Sequence, residues 1–259
     1  MKTLPLFFIV FVLINAPAFA RDSKKHSPEI EPKLLIKDFQ RWWNYNYNFI
    51  NLSSDFKAVD SESKIISKEL FLKSLSTGNY IPLLVNSAEM PKIYKLYKLK
   101  PSDNADIKSA IIQLGQTEYE RFKKEGTKIP KFNFTDLNGK IYTNENTKGK
   151  ILVLKCWFVH CASCVAEMPA LNQMVAKYKN RKDILFVSLA YDSETQLKDF
   201  LRKKVFDYAV VPVRKEYIQK QLNVSSYPTH FIVNKKGLIE KIVDRQDYLA
   251  QALTKEVGP

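Results

Sequence analysis

The chain has 259 residues, of which 45% are hydrophobic, and carries a formal net charge of +14 at neutral pH. That apolar content supports a packed core, and the length allows one large or two small domains. The charge invites a nucleic-acid reading, but lysines stand beside acids, as in Lys37-Asp38 and Lys198-Asp199, with no long basic block. The composition therefore speaks against nucleic acid as a partner and for loose attraction to an anionic membrane surface or acidic proteins.

Residues 1–20 read as a cleaved signal peptide. Lys2 supplies the positive end, Leu4 to Leu13 the apolar run, and Ala18-Phe19-Ala20 a small-residue cleavage site before Arg21. The run is short for a membrane span; an uncleaved anchor is the alternative. No cysteine stands at the expected new N-terminus, where Arg21 is found, so a lipid-anchored form is not indicated. The expected location is periplasmic or otherwise extracytoplasmic, where disulfides persist.

Residues 21–125 form an N-terminal domain without cysteine, which we expect to be a small α+β unit of unknown role. Its first ten residues are polar. Leu34, Leu35, Phe39, Trp42 and Trp43 suggest a helix with an apolar face. Trp42, Trp43, Tyr45 and Tyr47 are expected to pack within this domain, with a docking surface as the alternative. Ile65 to Leu75 reads as helix, and Tyr80–Val85 and Ile93–Tyr97 as strands. Ala105 to Lys124 reads as an amphipathic helix stopped at Gly126.

Residues 126–259 form the second domain. After Ile151–Phe158, an apolar strand pattern, the order is helix, strand, helix, then strand, strand and helix. Asp183–Leu189 is nearly continuously apolar, as a strand buried on both faces requires. Thr195–Lys203 is a crossover helix and Ala209–Val211 a short strand. Thr229–Val233 and Leu238–Val243 pair around a turn at Gly237. A helix closes the chain.

The chemistry concentrates at His160-Cys161-Ala162-Ser163-Cys164, where that first strand ends and a helical pattern of Val165, Met168, Leu171, Met174 and Val175 begins. A thiol attacks a disulfide only as thiolate, and an ordinary cysteine with a pKa of about 8.5 is mostly protonated at neutral pH. Unpaired N–H groups and the dipole at a helix N-terminus favour the anion. Cys161 is therefore expected to be the exposed nucleophile, and Cys164, one turn in, the resolving thiol. A closed zinc site needs four ligands, and beyond this pair the chain offers only Cys156, His26, His160 and His230. Covalent haem needs His after the second cysteine, where Val165 stands. A purely structural bridge would close only a tiny loop.

Around this motif the chain resembles the TlpA-like (ResA-like) thiol–disulfide oxidoreductases of the thioredoxin superfamily. The likeness runs from about Gly126 to Val243. Phe132 to Lys140 resembles the family's opening hairpin, Cys161-x-x-Cys164-x-x-Glu167-Met168-Pro169 its active-site signature, and Tyr227-Pro228-Thr229 the segment holding its cis-proline. The resemblance implies a thioredoxin-like α/β fold, a central mixed sheet flanked by helices, preceded here by the smaller α+β domain. It implies Cys161, Cys164, Glu167 and Pro228 as catalytic residues, with Glu167 handling the resolving thiol's proton. Tyr227 and Thr229 would bind substrate, with Tyr227 offering its backbone. No cofactor or metal is implied. Partners would be protein disulfides or dithiols and a membrane-bound electron donor, with reduction favoured over oxidation.

The departures fall around the dithiol. His160 stands where the family has Trp, Ala162-Ser163 form a spacer without proline, Lys155 holds the position of thioredoxin's buried Asp, and Cys156 replaces an aromatic. We expect Lys155 and His160 to tune the dithiol and Cys156 to be a buried, inert thiol. A thiol peroxidase would carry Thr or Ser three before its cysteine, where Phe158 stands. The alternative of another class is a soft-metal (copper) binding or chaperone protein using Cys161, Cys164 and His160.

Overall fold

The structure is a computed structural model describing residues 29–85 and 90–258. The expected signal segment and most of the polar stretch after it lie outside the described residues. Among the described residues no helix is long and apolar enough to cross a membrane.

The N-terminal part opens with α1 (Pro32–Leu35) and α2 (Phe39–Phe49). The single helix suggested by the apolar pattern is thus two. Ile36 ends the first and Asp38 starts the second, its side chain accepting the Arg41 N–H. There follow β1 (Lys57–Val59), β2 (Ile65–Ile66), α3 (Lys68–Leu75), β3 (Tyr80–Leu84), β4 (Ile93–Lys98) and α4 (Ala105–Lys124). The helical reading of Ile65 to Leu75 needs correction at its start. Ile65 and Ile66 pair antiparallel with β1, and Ser67 begins the helix by capping the Leu70 N–H. Two β-branched residues before a good N-cap favour that break.

These strands form a sheet in the order β2-β1-β4-β3, with β1 parallel to β4. Leu35, Trp42, Phe71, Leu72, Ile81, Leu83, Tyr94 and Ile111 fill its core. Helices α3 and α4 pack where α4 has Gly115. A Cβ there would lie 2.6 Å from Ser76 N and 2.7 Å from Leu75 C, so any larger residue would push the helices apart.

The second part holds a hairpin, β5 (Asn133–Thr135) and β6 (Ile141–Thr143), then β7 (Ile151–Trp157), α5 (Ala162–Ala166), α6 (Met168–Lys177), β8 (Ile184–Ala190), α7 (Glu194–Leu201), β9 (Ala209–Pro212), a single wide π-helical turn at Tyr217–Gln221, β10 (Thr229–Val233), β11 (Ile239–Val243) and α8 (Gln246–Val257). The sheet order is β11-β10-β7-β8-β9. β7, β8 and β9 run parallel, β10 is antiparallel to β7, and β11 to β10. This is the mixed, helix-flanked sheet of a thioredoxin-like fold.

β7 is central and buried throughout. Its side chains alternate between two cores. Ile151, Val153 and Trp157 join Cys161, Cys164, Met168, Leu171 and Leu249 on one face. Leu152, Leu154 and Cys156 join Phe132, Phe134 and Ile218 on the other. Polar contacts tie the two parts of the chain together. Lys241 bonds Asp55 and Glu125, Lys255 bonds Asp55, Arg121 bonds Asp244, and Arg245 donates to the Tyr47 carbonyl.

Candidate active site

The chain leaves β7 at Trp157 and turns at once into α5, whose N-cap is Cys161. Cys161 Sγ accepts the Cys164 backbone N–H at 3.2 Å and lies 3.5 Å from Ser163 Oγ. A disulfide joins Cys161 to Cys164. Cys161 keeps 6% of its surface accessible and Cys164 none. The expected exposed nucleophile is therefore a nearly covered one. The inequality still has the expected sense: the N-cap sulfur meets a backbone N–H of the kind that favours thiolate, while Cys164 is the more deeply buried of the two.

Pro169 is an early residue of α6, and α5 and α6 meet at Glu167 instead of forming one straight helix. A proline lacks the N–H that a helix interior needs but fits a first turn. That break turns the largely buried Glu167 toward the sheet. There its Oε1 pairs with Lys155 Nζ from β7. His230 Nε2 from β10 lies 3.1 Å from Oε1 and 3.3 Å from Oε2. Lys155 and His230 are both fully buried and are direct partners across the β7–β10 ladder. Burial pushes Glu167 up, but the His230 bond and the Lys155 charge outweigh it and hold the carboxyl below its ordinary range. Burial lowers the pKa of both Lys155 and His230, with Glu167 opposing.

The Tyr227–Pro228 peptide is cis. Tyr227 is half-buried and its ring packs edge-on against Phe158 at 5.4 Å, with Tyr191 beside both. Thr229 is buried and its hydroxyl donates to the Ser226 carbonyl. His160 is exposed. Such a site can exchange disulfides: it has a paired dithiol at a helix N-terminus, one cysteine less deeply buried than the other, and a buried carboxylate three residues further on.

A sequence model of the AhpC/TSA family matches residues 125–242. The chain is 31% identical over 121 residues to the thioredoxin-like protein YneN of Bacillus subtilis, covering 46% of this chain and 71% of that one. It is 31% identical over 122 residues to the thiol–disulfide oxidoreductase ResA of Bacillus cereus, covering 47% and 70%. The chain belongs to the ResA-like thiol–disulfide oxidoreductases. Among solved structures it is similar to the thioredoxin domain of a thiol–disulfide oxidoreductase from Bacteroides vulgatus, with 22% identity, a TM-score of 0.47, and coverage of 52% of this chain and 98% of that one.

In this ResA-like chain the site opens into a cleft of about 560 Å³ between the two parts of the molecule. Ser163, Ala166, Glu167, Tyr227 and Pro228 form one wall; Trp43, Tyr47 and Leu114 stand on the other. The aromatic group of α2 is thus divided. Trp42 and Tyr45 are buried in the core as expected, whereas Trp43 is 38% and Tyr47 52% exposed at the cleft. Arg245 bridges the walls, stacked 4.3 Å from the Tyr47 ring centre and 4.4 Å from that of Tyr248.

Sequence reasoning placed His230 only among conceivable zinc ligands and missed its bond to Glu167. The available signal was a histidine in an otherwise apolar strand, two residues after Pro228. Cys156 is buried on the face opposite the disulfide, and burial pushes its thiol up to about 12. Among the described residues no group of three or more His, Cys, Asp or Glu is placed to hold a metal ion.

Proposed function

We propose that this oxidoreductase is an extracytoplasmic disulfide reductase working through a mixed disulfide on Cys161. The observation that carries the reading is the asymmetry of the pair: Cys161 caps α5 and keeps a small accessible surface, while Cys164 is wholly covered. In the reduced enzyme the Cys161 thiolate attacks a partner disulfide and expels one partner sulfur as thiolate. Cys164 then attacks Cys161, closes the bridge and releases the second partner thiolate. Two electrons pass to the partner, and a dithiol donor restores the enzyme with no cofactor.

Residues 126–259 carry this chemistry in the proposal, with Glu167 taking the Cys164 proton, Lys155 and His160 tuning the pair, and Pro228, Tyr227 and Thr229 seating the partner chain. Residues 21–125 act as a separate domain whose Trp43 and Tyr47 form the far wall of the seat. Residues 1–20 direct export, and the donor is membrane-bound. Soft-metal binding would need both thiols free, which the disulfide precludes in this state.

The test is the reduction potential of the Cys161–Cys164 pair in glutathione or dithiothreitol buffers. A value near −270 mV, that of thioredoxin, supports a reductase; one near −120 mV would make the protein a disulfide donor. Cys164→Ser should trap a partner on Cys161, visible as a reducible adduct. Failure of the wild-type pair to oxidise reversibly would remove the oxidoreductase reading for this chain.

A further inference from the structure

Lys155, Glu167 and His230 come from three elements and meet as a buried cluster. The two basic residues are cross-strand partners on β7 and β10, so their side chains share a sheet face. By alternation that face is the one packed on α5 and α6, where both active-site cysteines lie. A carboxylate only accepts hydrogen bonds, so the bonds assign the proton of neutral His230 to Nε2. Nδ1 meets no hydrogen-bonding group among the described residues. Both carboxylate oxygens are thereby engaged from the sheet.

We propose that His230 is a positioning residue: with Lys155 it clamps the Glu167 carboxylate in place as the acceptor of the Cys164 thiol proton. The inference rests on the oxidoreductase reading above and adds the reason a buried glutamate can act there. An unpartnered carboxylate in this layer would meet the full cost of burial and hold its proton. Lys155 supplies charge and His230 a directed N–H. Other titratable groups act on the members of this cluster: Asp244 on His230, Tyr208 on Glu167, and Cys156, on the far sheet face, on Lys155.

In the closing step the Cys164 Sγ–H bond breaks and its proton passes to Glu167. Cys164 Sγ forms a bond to Cys161 Sγ. The bond from Cys161 to the partner sulfur breaks, and the partner leaves as thiolate with that electron pair. Glu167 lines the cleft and returns the proton to water there.

A dipyridyl disulfide separates the steps in stopped flow. The first pyridinethione released by reduced enzyme reports Cys161 attack, and the second reports closure by Cys164. In His230→Leu the acidic limb of the second phase should move up by about one to two pH units, the worth of one hydrogen bond to a charged group, while the first phase keeps its profile. His230→Gln retains an N–H at the same reach and should keep the wild-type limb. An unmoved limb in His230→Leu, or a limb in His230→Gln displaced as far as in His230→Leu, would overturn the clamp and leave the oxidoreductase reading intact. Absence of any second release from wild-type enzyme would overturn both. Should the leucine variant fail to fold, nitrogen NMR of wild-type His230 decides: protonation at Nε2 is expected, and the Nδ1 tautomer would overturn the proposal.

Discussion

Replacing Lys155 by Met is the perturbation whose size follows most directly from the structure. Lys155 is fully buried and Glu167 nearly so, and their ion pair links β7 to the α5–α6 junction. Methionine keeps the length and apolar stem but leaves Glu167 with His230 alone. Removing one member of a buried pair typically costs 3–5 kcal/mol, because the other charge is left without compensation. The remaining His230 N–H places the expected loss at the lower end, about 3 kcal/mol. For a chain of this size that lowers the melting temperature by roughly 6 to 12 °C. Glu167→Gln alone strands the lysine and should cost a similar amount. The double variant should cost clearly less than the two singles together, since two neutral groups of the same shape can replace a buried pair nearly without loss. The assay is urea unfolding of the oxidised protein by circular dichroism, with slopes compared to confirm the same transition. A loss below about 1 kcal/mol for Lys155→Met, or strict additivity in the cycle, would refute the reasoning.

In native reduced protein, a thiol reagent at neutral pH should modify Cys161 first and leave Cys156 untouched, because the Cys156 thiol is fully buried and pushed up to about 12; modification of Cys156 without denaturant would contradict this. Trp43→Ala and Tyr47→Ala should lower kcat/KM for protein disulfides several-fold and leave a small aromatic disulfide unaffected, because these rings line the cleft wall away from the sulfurs; equal losses on both substrates would remove the docking role. Burial tends to raise Asp55, but Lys255 and Lys241 outweigh it and hold its pKa at about 2. A carboxylate depressed on folding stabilises above its unfolded value and loses that contribution as pH falls from about 4 toward 2. Asp55 is half exposed, so Asp55→Asn should cost only about 0.5–1 kcal/mol at neutral pH. That difference should shrink in high salt and vanish in strong acid, and a salt-independent loss would point to packing instead.

Much of the second part was legible because its signals are local. Apolar runs marked β7 and β8, Gly237 with its positive φ marked the β10–β11 turn, and Cys161-x-x-Cys164 after a strand marked the reactive turn. Those features depend on residues a few positions apart. The start of α3 was misread because apolar spacing does not separate two strand residues from the helix they precede; pairing with β1 decided it. The split of α2 into buried Trp42 and exposed Trp43 likewise depended on which neighbours arrived.

By itself, then, the sequence determined the dithiol, its place at a helix start and the family it belongs to. Only the tertiary structure decided what surrounds it. Lys155 and His230 lie 75 positions apart in the chain and become neighbours through the β7–β10 register; Glu167 joins them because the chain breaks at the α5–α6 junction. The cleft wall of Trp43 and Tyr47 exists because the N-terminal part is bonded to β11 and α8 through Asp55, Arg121 and Arg245. A one-residue slip in the β7–β10 register would turn His230 to the opposite sheet face and leave Glu167 with Lys155 alone.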